Sequence, residues 1–320
     1  MSLIRPVLAA IPLALAAMIP SSGPVTAQTV AGQGAVTATG FDGYVQLLAA
    51  KARAEGVSEP TILRMTSGLS YNPRVVALDR NQPGSNSSPS SSTIALAPYI
   101  RTHVDAARIR GGRNQYATLG PLGGRLEQEF GVPPKIALAI WGHETNYGSY
   151  RGDFDLARSL ATLAYDGRRR QLFADEFIAL LKMADRGIPR ERLVGSWAGA
   201  LGNPQFLPSV YLRLARDGDG DGQADIWYNR ADTLFSIAHY FEDAGWRRGE
   251  PWGVRAAVPA GFDASPVATK LGAPSCPRVH ARHSTWKTVA EWRALGITPL
   301  ASIGDNTLAT LIEPDGRGQP

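Results

Sequence analysis

The sequence predicts a mainly α fold, formally α+β, with a smaller irregular lobe of loops and strands at the C-terminal end. Three observations carry this. Apolar residues recur at helical spacing from Pro98 to Tyr240, the periodicity fades after Trp246, and residues 250–283 are rich in proline and glycine. With 320 residues, 44% of them hydrophobic, the chain can bury a real core, which excludes wholesale disorder. Charged residues make up only 19%, while glycine (34) and proline (23) are abundant, so many loops are expected and a coiled coil is not. The net charge of +5 and pI near 9.4 admit an anionic partner. There is no basic-aromatic signature for nucleic acid. The single cysteine, Cys276, excludes both an intramolecular disulfide and a cysteine metal cage.

In chain order, residues 1–27 read as a cleavable signal peptide. Arg5 precedes the apolar run Val7–Ile19, and Val25-Thr26-Ala27 offers small residues for cleavage. The run is too short to span a bilayer and Pro12 interrupts it, so a transmembrane segment in the mature protein is not expected. No cysteine lies near the cleavage point to carry a lipid. An exported, periplasmic and monomeric protein is the expectation. Residues 28–40 are small and polar, a flexible lead-in, and Phe41–Ala54 reads as helix from the spacing of Phe41, Tyr44, Val45, Leu47 and Leu48. The Ser-rich stretch 82–93 is loop. A helix start stands at Val132-Pro133-Pro134, since proline is tolerated in a first helical turn. Phe173, Phe177, Leu180, Leu181 and Ala184 form the apolar stripe of a helix over residues 172–185. Beyond the helical core (41–249), the lobe 250–320 is expected to hold a short strand near 253–258 and a last helix over Ser284–Leu295.

Four stretches could carry chemistry. In Ile140-Trp-Gly-His-Glu144-Thr-Asn-Tyr-Gly148 an apolar helix ends in a carboxylate beside aromatics. Burial there disfavours the charged form and keeps a general acid protonated near neutral pH; the plain alternative is a helix-end surface carboxylate. Position i+4 from His143 is Tyr147, so this is not a zinc-protease helix. Gly195–Ser209, with Ser196, Gln205 and Phe206, offers hydroxyl, amide and aromatic contacts suited to a sugar, or is a glycine-packed corner between helices. Asp217-Gly-Asp219-Gly-Asp221-Gly222-Gln223-Ala-Asp225 matches a calcium loop, with carboxylates at positions 1, 3, 5 and 9 and glycine at 6. Position 12 is Tyr228 in place of glutamate, and Asp232 at position 16 either supplies the missing carboxylate or caps the next helix. The candidate ligands are therefore Asp217, Asp219, Asp221, Gln223 and Asp232, for a structural ion. A solvated acidic turn is the alternative. Arg168-Arg169-Arg170 could meet acidic or acetamido groups of a ligand, although a solvated basic turn is the commoner meaning of such a run.

Together these stretches resemble the B-type lytic murein transglycosylases, glycoside hydrolase family 103. The matching pieces are Gly131-Val-Pro-Pro134, Trp141-Gly-x-Glu144-Thr-x-x-Gly148, Leu160-Ala-Thr-Leu163, Gly195-Ser-Trp-Ala-Gly-Ala-Leu-Gly202 and Gln205-Phe-x-Pro208. Asp217–Gly222, Asp225-Ile-Trp227 and Gly245-Trp246 complete an ordered run of about 120 residues. The resemblance implies a lysozyme-like helical core that cleaves the bond between N-acetylmuramic acid and N-acetylglucosamine in peptidoglycan strands. It implies formation of a 1,6-anhydro end, with no cofactor for catalysis. By it, Glu144 is the single acid/base, and Ser196 and Gln205 are its polar neighbours. Phe206 and Tyr99 are sugar-contacting aromatics, and Arg168 and Arg169 contact ligand. Two alternatives stand beside this reading: a muramidase-type hydrolase and a non-catalytic peptidoglycan-binding protein. The family's C-terminal segment, which ends in an aromatic-Asn-x-Ser motif, has no counterpart before Pro320, so the chain is expected to end ahead of it.

Overall fold

The computed structural model describes residues 31–82, 96–270 and 280–314, with side chains from residue 40 onward. The signal peptide, the first residues of the lead-in and nearly all of the Ser-rich loop lie outside the described residues. Among these residues the chain forms twelve α-helices and six two-residue strands. None of the helices is long and apolar enough to cross a membrane.

The chain divides into two compact units. The larger comprises, of the described residues, 31–82 and 106–246, and the smaller 96–105 and 247–314. The division falls after residue 246, and residues 96–105, expected in the helical core, group with the smaller unit. That segment is helix α4 (Leu96–His103), which buries none of its residues, so its helical pattern says nothing of which core it joins.

In the larger unit α1 (Ala31–Ala54) begins ten residues before the predicted helix. Its first turns carry small residues with no apolar stripe, which periodicity does not register. Next come α2 (Glu59–Thr66) and α3 (Pro73–Arg80), the latter capped by Asn72 and opened by proline. Helices α5 (Ala106–Ala117), α6 (Pro121–Phe130) and α7 (Pro134–Thr145) follow, and α7 starts where Pro133-Pro134 predicts. Asp155 caps α8 (Leu156–Asp166) by accepting from the Arg158 amide, and Gly167 ends it in the left-handed conformation that glycine adopts without strain. Helix α9 (Arg170–Asp185) carries the predicted stripe; Phe177, Leu180 and Leu181 are fully buried. Helices α10 (Pro208–Leu214) and α11 (Arg230–Asp243) complete the unit.

Two apolar clusters hold these helices. One joins α1, α2, α8 and α9 around Phe41, Ile62, Leu160 and Phe177; the other joins α6, α7 and α11 around Leu126, Trp141, Leu234 and Phe235. A short antiparallel pair that the sequence does not announce, β1 (Phe154–Asp155) with β2 (Val194–Gly195), closes the α8–α9 hairpin at its base.

The smaller unit contains β3 (Ala256–Ala257), near the predicted strand, paired antiparallel with β5 (Thr298–Pro299), and β4 (Lys287–Thr288) paired with β6 (Leu308–Ala309). Its last helix, α12, spans only Val289–Ala294 instead of the expected Ser284–Leu295. The reason is local: Thr288 and Glu291 form a reciprocal capping box, which fixes the helix start at residue 289 while residues 287–288 stay extended in β4. Val267, Trp292 and Ile297 form this unit's core.

Candidate active site

Helix α7 ends on a backbone that few sequences adopt. Asn146, Tyr147 and Gly148 all have positive φ, at 48°, 58° and 83°. For the two non-glycine residues this costs of the order of 1 kcal/mol each and must be held by their surroundings. The Tyr147 ring supplies the anchor: it lies on Gly111, Gly112 and Gly142, where any Cβ would collide with it. Its hydroxyl donates to the Arg108 carbonyl at 3.0 Å, and its ring meets Trp141 edge-on at 5.8 Å. The glycine of Trp141-Gly142 is thus required by a tyrosine five residues on.

Glu144 sits in the last turn of α7, half-buried, between buried Gly142 and Thr145. Among the described residues its carboxyl has no hydrogen bond and no ion pair. Burial alone therefore acts on it and pushes its pKa up to about 7. A carboxyl group so placed holds a proton at neutral pH and can also give it up, as a general acid and then base must.

The next residue, Thr145, ties this helix end to the Gly195–Gln205 loop. Its buried hydroxyl donates to the Asn203 carbonyl at 3.0 Å and accepts from the Gly148 amide at 3.2 Å. Asn203 in turn donates from its backbone to the Ile226 carbonyl (2.8 Å) and from its side chain to the Thr233 hydroxyl (3.0 Å) in α11. Thr145, Asn203 and Thr233 were not singled out from the sequence; only the adjacency of Thr145 to Glu144 and of Asn203 to Gln205 hinted at them.

The other predicted site residues are placed unevenly. Gln205, held at φ 52°, donates from its side-chain amide to the carbonyls of Gly202 (2.9 Å) and Arg151 (3.2 Å), bridging the loop to the segment after α7. Ser196 is buried and turned into its own loop, where its hydroxyl accepts from the Ala200 amide at 3.0 Å; no hydrogen bond joins it to Glu144. Phe206 is only 7% exposed and packs in the main core against Tyr240, which leaves little ring surface for a sugar. Arg168 and Arg169 both pair with the buried Asp79 of α3, Arg168 through two guanidinium nitrogens. Arg169 also lies over the Phe173 ring. The arginine pair thus fastens α3 to the α8–α9 junction. Tyr99 belongs to the smaller unit, where it stacks on His103 with ring centroids 3.9 Å apart.

The acidic loop fits a hard cation in part. Asp217, Asp219 and Asp221 are exposed and each offers an oxygen within 4.8 Å of the others. Amides of Gly222 and Gly220 hold the Asp217 carboxyl below its usual range, in the ionised form a cation needs. Gln223 follows on the exposed rim, its amide bonded to Asp221. Asp232 is a correction to the expected ligand set. It is wholly buried, and its two oxygens accept from the Gly218 and Asp225 amides at 2.7 Å each, so it supports the loop from within. Its place in the first turn of α11 aims it at the loop backbone. Asp225, counted at position 9, instead accepts from the Trp227 and Tyr228 amides and pairs with Arg192.

Residues 40–320 match the family described as the transglycosylase SLT domain. Over 198 residues the chain is 33% identical to membrane-bound lytic murein transglycosylase B of Escherichia coli (strain K12), covering 60% of this chain and 49% of that protein. The chain therefore spans about half the length of that curated relative. Among solved structures, SltB3 from Pseudomonas aeruginosa in complex with NAG-NAM-pentapeptide aligns with a TM-score of 0.75 at 34% identity, covering 87% of this chain and 70% of that one. The Escherichia coli lytic transglycosylase Slt35 in complex with calcium aligns with a TM-score of 0.68 at 27% identity, covering 86% and 81%.

Proposed function

The chain belongs to the transglycosylase SLT domain family, and on that premise we propose that it is a peptidoglycan lytic transglycosylase with Glu144 as its single acid/base. The observation that carries the reading is the half-buried, unpartnered carboxyl at the end of α7, whose pKa of about 7 keeps it protonated near neutral pH.

Protonated Glu144 donates to the glycosidic oxygen between N-acetylmuramic acid and N-acetylglucosamine, and the C1–O bond breaks. The substrate's own acetamido oxygen bonds to C1, as in the substrate-assisted departures from the two-carboxylate rule. Glu144, now ionised, takes the proton from the muramoyl C6 hydroxyl. O6 displaces the acetamido oxygen at C1, closing the 1,6-anhydro ring and returning the acid to its starting form. No water is consumed, so no second carboxylate is needed to activate one. Gln205 uses its amide nitrogen to brace the loop, which leaves its carbonyl oxygen as an acceptor for a sugar hydroxyl or amide.

Asp217, Asp219 and Asp221, with the Gln223 backbone carbonyl, would hold calcium, which supplies cross-linking of the loop and no catalytic step. Peptidoglycan strands are the partner, and the periplasm is the place of action, reached through the signal peptide at residues 1–27.

Digestion of purified peptidoglycan by the wild type and by Glu144→Gln, with muropeptides weighed by mass spectrometry, tests the reading. Anhydro-muropeptides are expected from the wild type alone. Products heavier by one water would mark a hydrolase, and equal activity of the variant would remove Glu144 from the mechanism.

A further inference from the structure

A small pocket opens four residues past Glu144. Gly148, Arg151, Gly152, Glu191, Arg192 and Tyr228 are among the residues that line it. At about 170 Å³ it is smaller than the ~300–1,000 Å³ of ordinary ligand clefts, so it suits an end group and not a sugar ring. Tyr228, 69% exposed, lies under two guanidiniums, Arg151 at 4.9 Å and Arg192 at 5.5 Å from its centroid.

The charges are not equivalent. Arg192 is answered by Asp225 at 3.3 Å. Arg151 is pinned by a bond to the Gly148 carbonyl (2.9 Å) and by its stacking, yet meets no carboxylate among the described residues. Glu191 likewise has no ion pair or hydrogen bond for its carboxylate there, and it does not pair with Arg151 although both line the pocket. One oriented cation and one separate anion, held apart beside an aromatic ring, complement a group that carries both charges. The Gln205 bond to the Arg151 carbonyl links this pocket to the loop that faces the catalytic helix end.

We propose that the pocket binds a zwitterionic amino-acid end group, its carboxylate on Arg151 and its ammonium on Glu191, presented by an uncrosslinked peptide stem of the substrate. The identity of the bearer rests on the function proposed above, because the substituent of a peptidoglycan strand is a peptide. A crosslinked stem has its free ammonium consumed in an amide bond, so the pocket favours strands that are not crosslinked at that stem.

Calorimetric titration of the full chain tests this with three soluble muramoyl tripeptides. The third residue is a diamino dicarboxylic acid whose side-chain end, bearing both an ammonium and a carboxylate, is free, N-acetylated or carboxamidated. Each cap is expected to weaken wild-type binding by about five- to tenfold, the scale of one charge-assisted contact at a partly exposed site. Arg151→Gln should no longer distinguish the carboxamide from the free end, while still sensing acetylation; Glu191→Gln should show the reverse. Wild-type affinities within twofold for all three peptides, or binding to none, overturn the proposal without reference to any variant's folding. Turnover plays no part in the readout, so this failure is separate from a failure to form anhydro products.

Discussion

Glu144 holds its proton at the expense of the fold. Below pH 4.5 the carboxyl is protonated in both the folded and the unfolded chain. Between 4.5 and about 7 the native state retains a proton that the unfolded chain has lost. Stability contributed by the neutral form is thus fully present below pH 4.5 and is lost as pH rises through about 7. The full shift corresponds to ~3 kcal/mol, which partial exposure reduces to about 2 kcal/mol. Glu144→Gln removes the titration while keeping the shape, so the variant should exceed the wild type in stability by about 2 kcal/mol at pH 8 and match it at pH 4. Urea unfolding at the two pH values measures this; parallel behaviour of both proteins would show that the carboxyl is not buried uncharged. On the proposed role of Glu144 as acid/base, kcat/KM should fall on the alkaline side with an apparent pKa near 7.

At the scale of elements, the fastening of α3 to the α8–α9 junction makes a separate prediction. Asp79 is 1% exposed and faces both Arg168 and Arg169. Burial by itself would raise its pKa, but the two guanidinium hydrogen bonds outweigh that and hold it below the usual carboxylate range. Its contribution is therefore present above pH 4 and fades as the pH falls further. Asp79→Asn should lower stability by about 2–3 kcal/mol, less than the full cost of a fully buried pair because both arginines reach solvent. Substrate affinity should change little for the fraction that remains folded, as measured by KM beside a denaturation curve; a large rise in KM with unchanged stability would return the arginines to the substrate site. The sequence could not show this, because Asp79 and Arg168 are 89 residues apart and a basic run carries no sign of its partner. What the sequence did show was local: the proline start of α7, the stripe of α9 and the convergence of three aspartates in one turn are each written within a few adjacent residues. Burial of Phe206 and the inward turn of Ser196 depend on packing from distant helices and the loop's own closure, which residue type does not disclose.

For the molecule as a whole, the acidic loop matters through where it is anchored. It connects α10 to α11, and its inner face hangs on Asp232, whose two oxygens are bonded to the Gly218 and Asp225 amides. Helix α11 packs on α7 through Leu234, Phe235 and Trp141, so order in the loop carries through to the packing of α7. Three exposed carboxylates in one turn repel each other when no cation lies between them. Calcium that binds only the folded loop stabilises the chain by mass action, about 2.7 kcal/mol at a hundredfold excess over its Kd. For a chain of this size that is a rise in Tm of roughly 4 °C. Thermal melts with calcium, with chelator and with magnesium at equal ionic strength should separate the specific effect from screening, since magnesium keeps its waters and suits such a loop poorly. Asp219→Asn and Asp221→Asn should each lose most of the calcium increment. Asp232→Asn should lower Tm with and without the ion, because it keeps an acceptor for one amide but not two. If the wild type melts at the same temperature in calcium and in chelator, the loop is a solvated acidic turn held by its own backbone, and Asp232 alone accounts for its order.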